Sequence, residues 1–250
     1  MKMSLKGRII VFFFLLVCYS SYSQTGEEIL NKYLNTVSNG DPSKWSRVKS
    51  LYATSISYFD VAAFKSKIDF LNSNPPSYKK LYWVLPDQQK EELWGDSSYT
   101  ESPSHFYFLK DKHVIILKGM PVMVRPVNKS VWFEFYPVRI QQYIKAARKI
   151  SFNGLKNIPE KTFECFEVVI TTRDESYHLY LNPETYLLEA LYFPEANIYW
   201  LLFEYKEFDG YLMPTQIQEA RKDGLIFSQQ FYKSILFNVP IDANKFDPPK

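Results

Sequence analysis

The sequence predicts a mainly β (α+β) chain: one continuous antiparallel sheet with a few helices laid against it. Three observations carry that expectation. From Tyr78 onward, short aromatic or β-branched runs alternate with turn residues. Three segments instead repeat apolar residues at helical spacing. And 18% of the chain is Phe, Trp or Tyr against only 8 glycines, which suits a sheet and disfavours phosphate-cradling loops.

The first segment is a leader. "MKMSLKGR" carries Lys2, Lys6 and Arg8; the apolar "IIVFFFLLVCY" and the small-residue "SSYSQ" follow. This is the layout of a cleaved secretory signal, with cleavage expected after Ser23, so that residues 1–23 are the signal peptide and 24–250 one domain. An uncleaved anchor and a lipidated Cys18 are the alternatives. Three of the 30 basic residues leave with the leader, so the mature chain carries 27 against 27 and is formally neutral. The pI of 8.6 belongs largely to the leader, and general attraction to nucleic acid loses its support. Cys165 is the one mature cysteine and sits in the apolar run "KTFECFEVVITT", as a buried thiol does.

The mature chain opens on a helix, "TGEEILNKYLNTVSNG" (25–40). Thr25 and Glu28 fit a capping box, Ile29, Leu30, Tyr33, Leu34 and Val37 form one stripe, and Gly40 suits its end. A strand is expected over 48–59 and a second helix over 60–76, capped by Asp60, with Phe64, Ile68 and Leu71 aligned and Pro75–Pro76 as its stop. Strands then read from "YKKLYWVL", "KEELWG", "HFYFLK", "HVIILKG" and "VWFEFY". A third helix follows at 137–149, with Ile140, Tyr143, Ile144 and Ala147 on one side. Arg139, Lys145, Arg148 and Lys149 are basic, a solvated face or one that meets anionic lipid headgroups. After Lys149, "TFECFEVVITT", "SYHLYL", "YLLEALYF", "NIYWLLFEYKEF", "YLMPTQIQEA" and "LIFSQQFYKSILF" follow at hairpin spacing.

Parity suggests which side chains share a face. A three-residue bulged loop at Asp209–Gly210 pairs Glu207 with Tyr211. It gathers Tyr199, Leu201, Phe203, Tyr205, Met213, Thr215 and Ile217 on one face, and Glu204, Lys206, Gln216 and Gln218 on the other. In the hairpin built on "NPET", Leu181 is expected opposite Tyr186. That puts Tyr177, Leu179, Leu181, Tyr186, Leu188, Ala190 and Tyr192 together, away from His178 and Glu189. A bulged turn at "KDGLIF" adds Phe227 and Phe231, with Lys233. An antiparallel sheet with one wet face must cover its apolar face, and that face encloses either a filled core or a cavity.

Local chemistry is sparse. His105, His113 and His178 show no metal-like spacing, and HExxH, GxSxG and GxGxxG are absent. No cofactor is expected. Glu184 is a turn corner, placed there by Asn182 and Pro183. Glu91, Glu92, Asp96 and Glu101 cluster near Trp94 and Tyr99, which leaves a glycan-binding or hydrolytic site open as an alternative. A module docking an envelope protein partner is a third reading.

Residues 150–248 resemble the LolA/LolB-like periplasmic lipoprotein-localisation factors. The resemblance lies in "NGLKNIPEKTFECFEVVIT", "YHLYLNPETYLLEALYF", "EYKEFDGYLMPTQI" and "LIFSQQFYKSILFNVPIDANKF", in that order, with Asn182 where the family's turn usually has Asp. The helix after the leader also matches, whereas 75–135 does not align. The resemblance implies an unclosed antiparallel β-barrel whose concave apolar face is covered by helices. It implies a non-enzymatic carrier or sensor for lipid or lipoprotein acyl chains, in the periplasm of a Gram-negative bacterium. The family's functional arginine has no matching position here; Arg47 and Arg125 are no more than candidates. The candidate lining is Tyr177, Leu179, Leu181, Tyr186, Leu188, Tyr192, Tyr199, Leu201, Phe203, Tyr205, Met213, Ile217, Phe227 and Phe231.

Overall fold

The computed structural model describes residues 24–59, 76–85, 88–110, 112–126, 136–173 and 175–248. The leader, the helix expected over 60–76 and most of the strand expected at "VWFEFY" lie outside the described residues. The last residue of that run, Tyr136, opens a helix instead.

Helix α1 (Gly26–Val37) starts where the capping box placed it. Thr25 Oγ1 accepts from the Glu28 amide at 3.2 Å, and Glu28 Oε2 accepts from the Thr25 amide at 2.8 Å. Its first residue is Gly because α1 is pressed onto the sheet: a Cβ there would lie 2.9 Å from Ile150 Cγ2 and 3.2 Å from Val168 Cγ1. Helix α2 (Ser43–Ser46) is a single turn that buries Trp45, and α3 spans Tyr136–Ala146. Lys149 therefore belongs to a strand and not to the third helix.

Among the described residues, thirteen strands form one antiparallel sheet that does not close. They are β1 (Ser50–Phe59), β2 (Ser77–Val84), β3 (Gln88–Trp94), β4 (Ser104–Phe108), β5 (Lys112–Ile116), β6 (Met123–Pro126) and β7 (Lys149–Lys156). Then come β8 (Cys165–Thr171), β9 (Ser176–Leu181), β10 (Leu188–Phe193), β11 (Ile198–Phe208), β12 (Tyr211–Arg221) and β13 (Ile226–Phe237). The order is β6-β5-β4-β3-β2-β1-β13-β12-β11-β10-β9-β8-β7. Two meanders thus meet at a β1–β13 seam. Strands β6 and β7 are additions to the sequence reading.

The sheet curls around its helices, as one pair of contacts requires. On α3, the Arg139 guanidinium lies over the Trp83 ring of β2, 5.3 Å from its centroid. One turn on, Tyr143 stacks on Tyr177 of β9 at 4.0 Å. Strands β2 and β9 are six steps apart in the sheet; flat, that is about 29 Å at ~4.8 Å per strand. Two side chains one helical turn apart, about 5.4 Å along the axis, cannot span it unless the sheet bends toward them. The helix face is concave, and the fold is an open half-barrel.

Both hairpin registers differ from the parity reading. At Asp209–Gly210 the loop has two residues: Phe208 pairs with Tyr211, Lys206 with Met213 and Tyr205 with Pro214. Asp209 (φ 49) and Gly210 (φ 78) both take left-handed conformations, as the tight primed turn of an Asp-Gly hairpin demands. The mixing of polar and apolar residues that a two-residue loop brings to each face is relieved upstream. Glu204 is itself left-handed (φ 53) and breaks the alternation, so Leu202 and Tyr205 join the same core.

At the NPET hairpin, Leu181 pairs with Leu188 and not with Tyr186, which is left-handed (φ 58) within the turn. Asn182 Oδ1 accepts from the Glu184 and Thr185 amides at 2.9 and 3.0 Å, and Glu184 is an exposed corner. A bulge at Glu189 then shifts the pairing, so Ala190 faces Tyr180 and Leu191 faces Leu179. Ala190 and Tyr192 thereby move to the convex face.

Candidate ligand-binding site

The concave face is apolar and deeply covered. Leu179, Leu181, Leu188, Leu202 and Met213 are fully buried, with Leu51, Ala53, Leu81 and Trp83 continuing the same layer across the seam. Helix α1 covers it with Ile29, Leu30, Tyr33 and Val37. At about 1.5–3 kcal/mol per buried aliphatic side chain, this layer is the fold's main support. Burial also pushes the Tyr143 hydroxyl up to about 12. Under α1, then, the described side chains of this face are withdrawn from water.

The opening lies further along, between α2 and α3. A groove of about 490 Å³ is lined by Trp45 of α2, Val48 just past it, Val84 and Leu85 at the end of β2, and Val138 on α3. Lys49, Gln141, Gln142 and Lys145 form its rim. Two contacts build it. Gln141 Nε2 donates to the Pro42 carbonyl at 2.9 Å, tying α3 to α2. Trp45 packs on Tyr211 at 4.6 Å and on Phe237 at 5.8 Å, holding α2 on the sheet. Trp45, Val48 and Val138 belong both to the groove wall and to the core, so the groove lies against one end of the core. Its size and its apolar walls with a polar rim are those of small-ligand sites.

The fourteen lining candidates are split by the sheet. Tyr177, Leu179, Leu181, Tyr186, Leu188, Tyr205, Met213 and Ile217 belong to the concave core. Tyr192, Tyr199, Leu201 and Phe203 belong to a separate cluster on the convex face, with Tyr180, Ala190, Ala220 and Cys165. Phe231 faces Gln216 and meets Tyr58 edge-on at 6.0 Å, also on the convex side, and Phe227 sits at the β12–β13 bulge. The expectation that they share one face is overturned by the bulges and by Glu204. None of the fourteen lines the α2–α3 groove. Its residues come from three distant segments, and Lys145 alone is among the residues the sequence points to.

The basic side of the third helix is also redistributed. Arg139 is partly buried, donating to Gln142 Oε1 at 2.8 Å beneath its Trp83 contact. Arg148 and Lys149 lie past the helix, the Arg148 amide donating to the Thr171 carbonyl. Lys145 is exposed at the groove rim. Arg47 is exposed and pairs with Asp41 at 2.7 Å, and Arg125 is exposed on edge strand β6. By register Arg125 follows His113, Phe108 and Gln89 onto the face of Trp83, the concave one, at the far edge of the sheet.

The acidic cluster does not converge. Glu91 shares the concave face with Lys79, its ion-pair partner at 3.2 Å. Glu92, the next residue, points to the convex side and pairs with Lys90 at 2.9 Å. Asp96 caps its own turn by accepting from the Thr100 amide, and Glu101 meets Lys118 at 3.5 Å. Cys165 is fully buried, and burial pushes its thiol up to about 12. Among the described residues, no group of three or more His, Cys, Asp or Glu side chains could hold a metal ion, and no helix could cross a membrane.

No family model matches the chain, and no curated protein matches it in sequence. Solved structures do. A LolA superfamily protein from Nitrosomonas europaea superposes with a TM-score of 0.58 at 11% identity, covering 90% of this chain and 99% of that one. An outer membrane lipoprotein-sorting protein domain from Vibrio parahaemolyticus gives 0.56 at 12%, covering 89% and 97%. A DUF1329 family protein from Desulfovibrio piger gives 0.57 at 11%, covering 88% and 96%. The chain thus shares its fold with these three proteins, with very little sequence in common.

Proposed function

We propose that the protein is an exported, non-enzymatic carrier or sensor that takes a lipid or lipoprotein acyl chain at the α2–α3 groove. The observation that carries this reading is the groove itself: about 490 Å³, with Trp45, Val48 and Val138 shared between its wall and the concave core. An alkyl chain entering it gains about 0.8 kcal/mol per buried CH₂ without needing a polar anchor. Lys49 and Lys145 at the rim suit an anionic headgroup left outside. The half-barrel fold supports the reading, as do the lipoprotein-sorting names of its structural relatives. Such relatives, together with the leader, support a periplasmic location.

The test is uptake of a fluorescent fatty acid by residues 24–250, with solvent extraction and mass spectrometry of the purified protein. Leu85→Arg, in the groove wall, should abolish uptake. Leu236→Arg, at an exposed position on the convex side, should leave it intact. Equal uptake by both variants, or none by the wild type, defeats the reading.

A further inference from the structure

The β6 end of the sheet exposes apolar side chains to water. Among the described residues β6 is the last strand on this side, paired with β5 alone. Met120, Val122 and Val124 are 57, 50 and 63% exposed, the most exposed large apolar side chains among the described residues. They stand within five residues, in the β5–β6 connection and on β6 itself. Apolar residues exposed singly are ordinary, but three together on one hairpin mark a contact surface. The hairpin that carries them is firmly seated. Val114 and Ile115 of β5 are buried, and Val114 pairs with Tyr107 on one side and Val124 on the other. The Met120 amide closes the turn by donating to the Leu117 carbonyl at 3.1 Å, with Gly119 left-handed (φ 75).

The surroundings of the hairpin select what it meets. Strand β6 has four residues, carries Arg125 and ends on Pro126, which has no amide to donate. These features blunt an edge against strand addition, by another protein or by a second copy. A lipid surface needs no strand partner. By alternation Lys112 shares the side of Val114 and Val124, and Lys118 stands in the turn with its side chain 68% exposed. From Glu101 to Pro126 the sequence holds Lys110, Lys112, Lys118 and Arg125 against Glu101 and Asp111. Two positive charges are in excess, even with Glu101 drawn to Lys118 at 3.5 Å. Exposed apolar side chains framed by surplus cations suit the headgroup layer of an anionic bilayer.

We infer that the β5–β6 hairpin docks the protein on an anionic lipid surface. Met120, Val122 and Val124 enter the headgroup layer, while Lys112, Lys118 and Arg125 meet lipid phosphates. This surface is separate from the α2–α3 groove. The groove lies at the Val84 end of β2, and the hairpin turn lies at the opposite end of the strands, beside Glu101. The inference holds whether or not an acyl chain is taken up.

Co-sedimentation of the folded protein with vesicles tests it. Vesicles of phosphatidylglycerol and phosphatidylcholine in equal parts should bind the protein, less so as salt rises. Phosphatidylcholine alone should bind it at least about tenfold more weakly. Val122→Asp and Val124→Asp should each weaken binding at least about tenfold while leaving fatty-acid uptake in solution unchanged. Lys118→Gln and Arg125→Gln should each weaken binding to the anionic vesicles roughly fivefold. Leu236→Asp adds the same charge at an exposed apolar position away from the hairpin and should leave binding within about twofold. The inference is overturned if the wild type ignores anionic vesicles, if folded Val124→Asp binds them fully, or if Leu236→Asp loses as much. A dimer that Val124→Asp dissociates, with no vesicle binding, assigns the surface to a second copy instead.

Discussion

The two faces of this sheet are made by the same strands and hold themselves together differently. The concave face is aliphatic: Leu179, Leu181, Leu191, Leu202 and Met213 stack under α1, and almost every atom is removed from water. The convex face over the same strands is a lattice of hydroxyls and rings around a carboxylate. Glu167 accepts from Tyr180 Oη at 2.9 Å and from Asn153 Nδ2 at 3.1 Å, with His178 Nδ1 at 2.9 Å. Tyr192 packs on Tyr199 at 4.5 Å, shielding small residues such as Ala190 and Ala220. One face is supported by non-directional burial and the other by directed polar contacts. The two should therefore fail under different perturbations.

The largest effect belongs to the concave side. Leu202→Ala removes a fully buried side chain and should cost about 2–5 kcal/mol by urea unfolding. Leu236→Ser, 42% exposed on the convex side, should change stability by no more than about 0.5 kcal/mol. Similar losses from both would erase the distinction between the faces.

Smaller effects come from two carboxylates with opposite behaviour toward pH. Burial alone would raise the Glu167 carboxyl, but the hydrogen bonds from His178, Asn153 and Tyr180 outweigh it and hold the group below the usual carboxylate range. Its contribution is then complete above the ordinary carboxylate pKa and disappears as pH falls through the folded value. Glu167→Gln should therefore be less stable than wild type at neutral pH, with the gap closing in acid. Glu219, on the concave side near Lys79, is pushed up by burial, against which Lys79 and Ser228 pull only partly. Its folded form prefers the proton, so stability declines as pH rises from the ordinary carboxylate value to the folded one. Glu219→Gln should remove that decline and gain on wild type as pH climbs. Thermal melts of both variants across pH give the two slopes; slopes of the same sign would contradict this assignment.

Elements and turns were legible because they are local. Thr25–Glu28 announces α1, and the Asn182 and Asp209 corners announce their hairpins. What parity could not supply was phase. A bulge such as that at Glu189 is decided by tertiary contacts: its carboxylate meets Lys161 and Asn182. The left-handed Glu204 has no sequence signature that separates it from an ordinary strand residue. Strand β6 escaped because it is four residues long and ends on Pro126, and β7 because its Asn153–Gly154 pair reads as a turn. The α2–α3 groove was not legible, since it joins segments far apart in the chain: 45–48 with 84–85 and 138–145.

The seam between β1 and β13 has a consequence for how the chain is made. The first strand of the sheet takes its central neighbour from residues 226–237, so the two meanders are joined by the most distant pairing in the fold. Any process that releases the chain from its amino end leaves β1 with one side open until β13 has emerged. Local hairpins can form meanwhile, but the half-barrel cannot close its middle. During that interval the Leu51–Ala53 edge is an unsatisfied template for any other extended chain. A holding factor acting on this protein during synthesis or export would have that edge to guard.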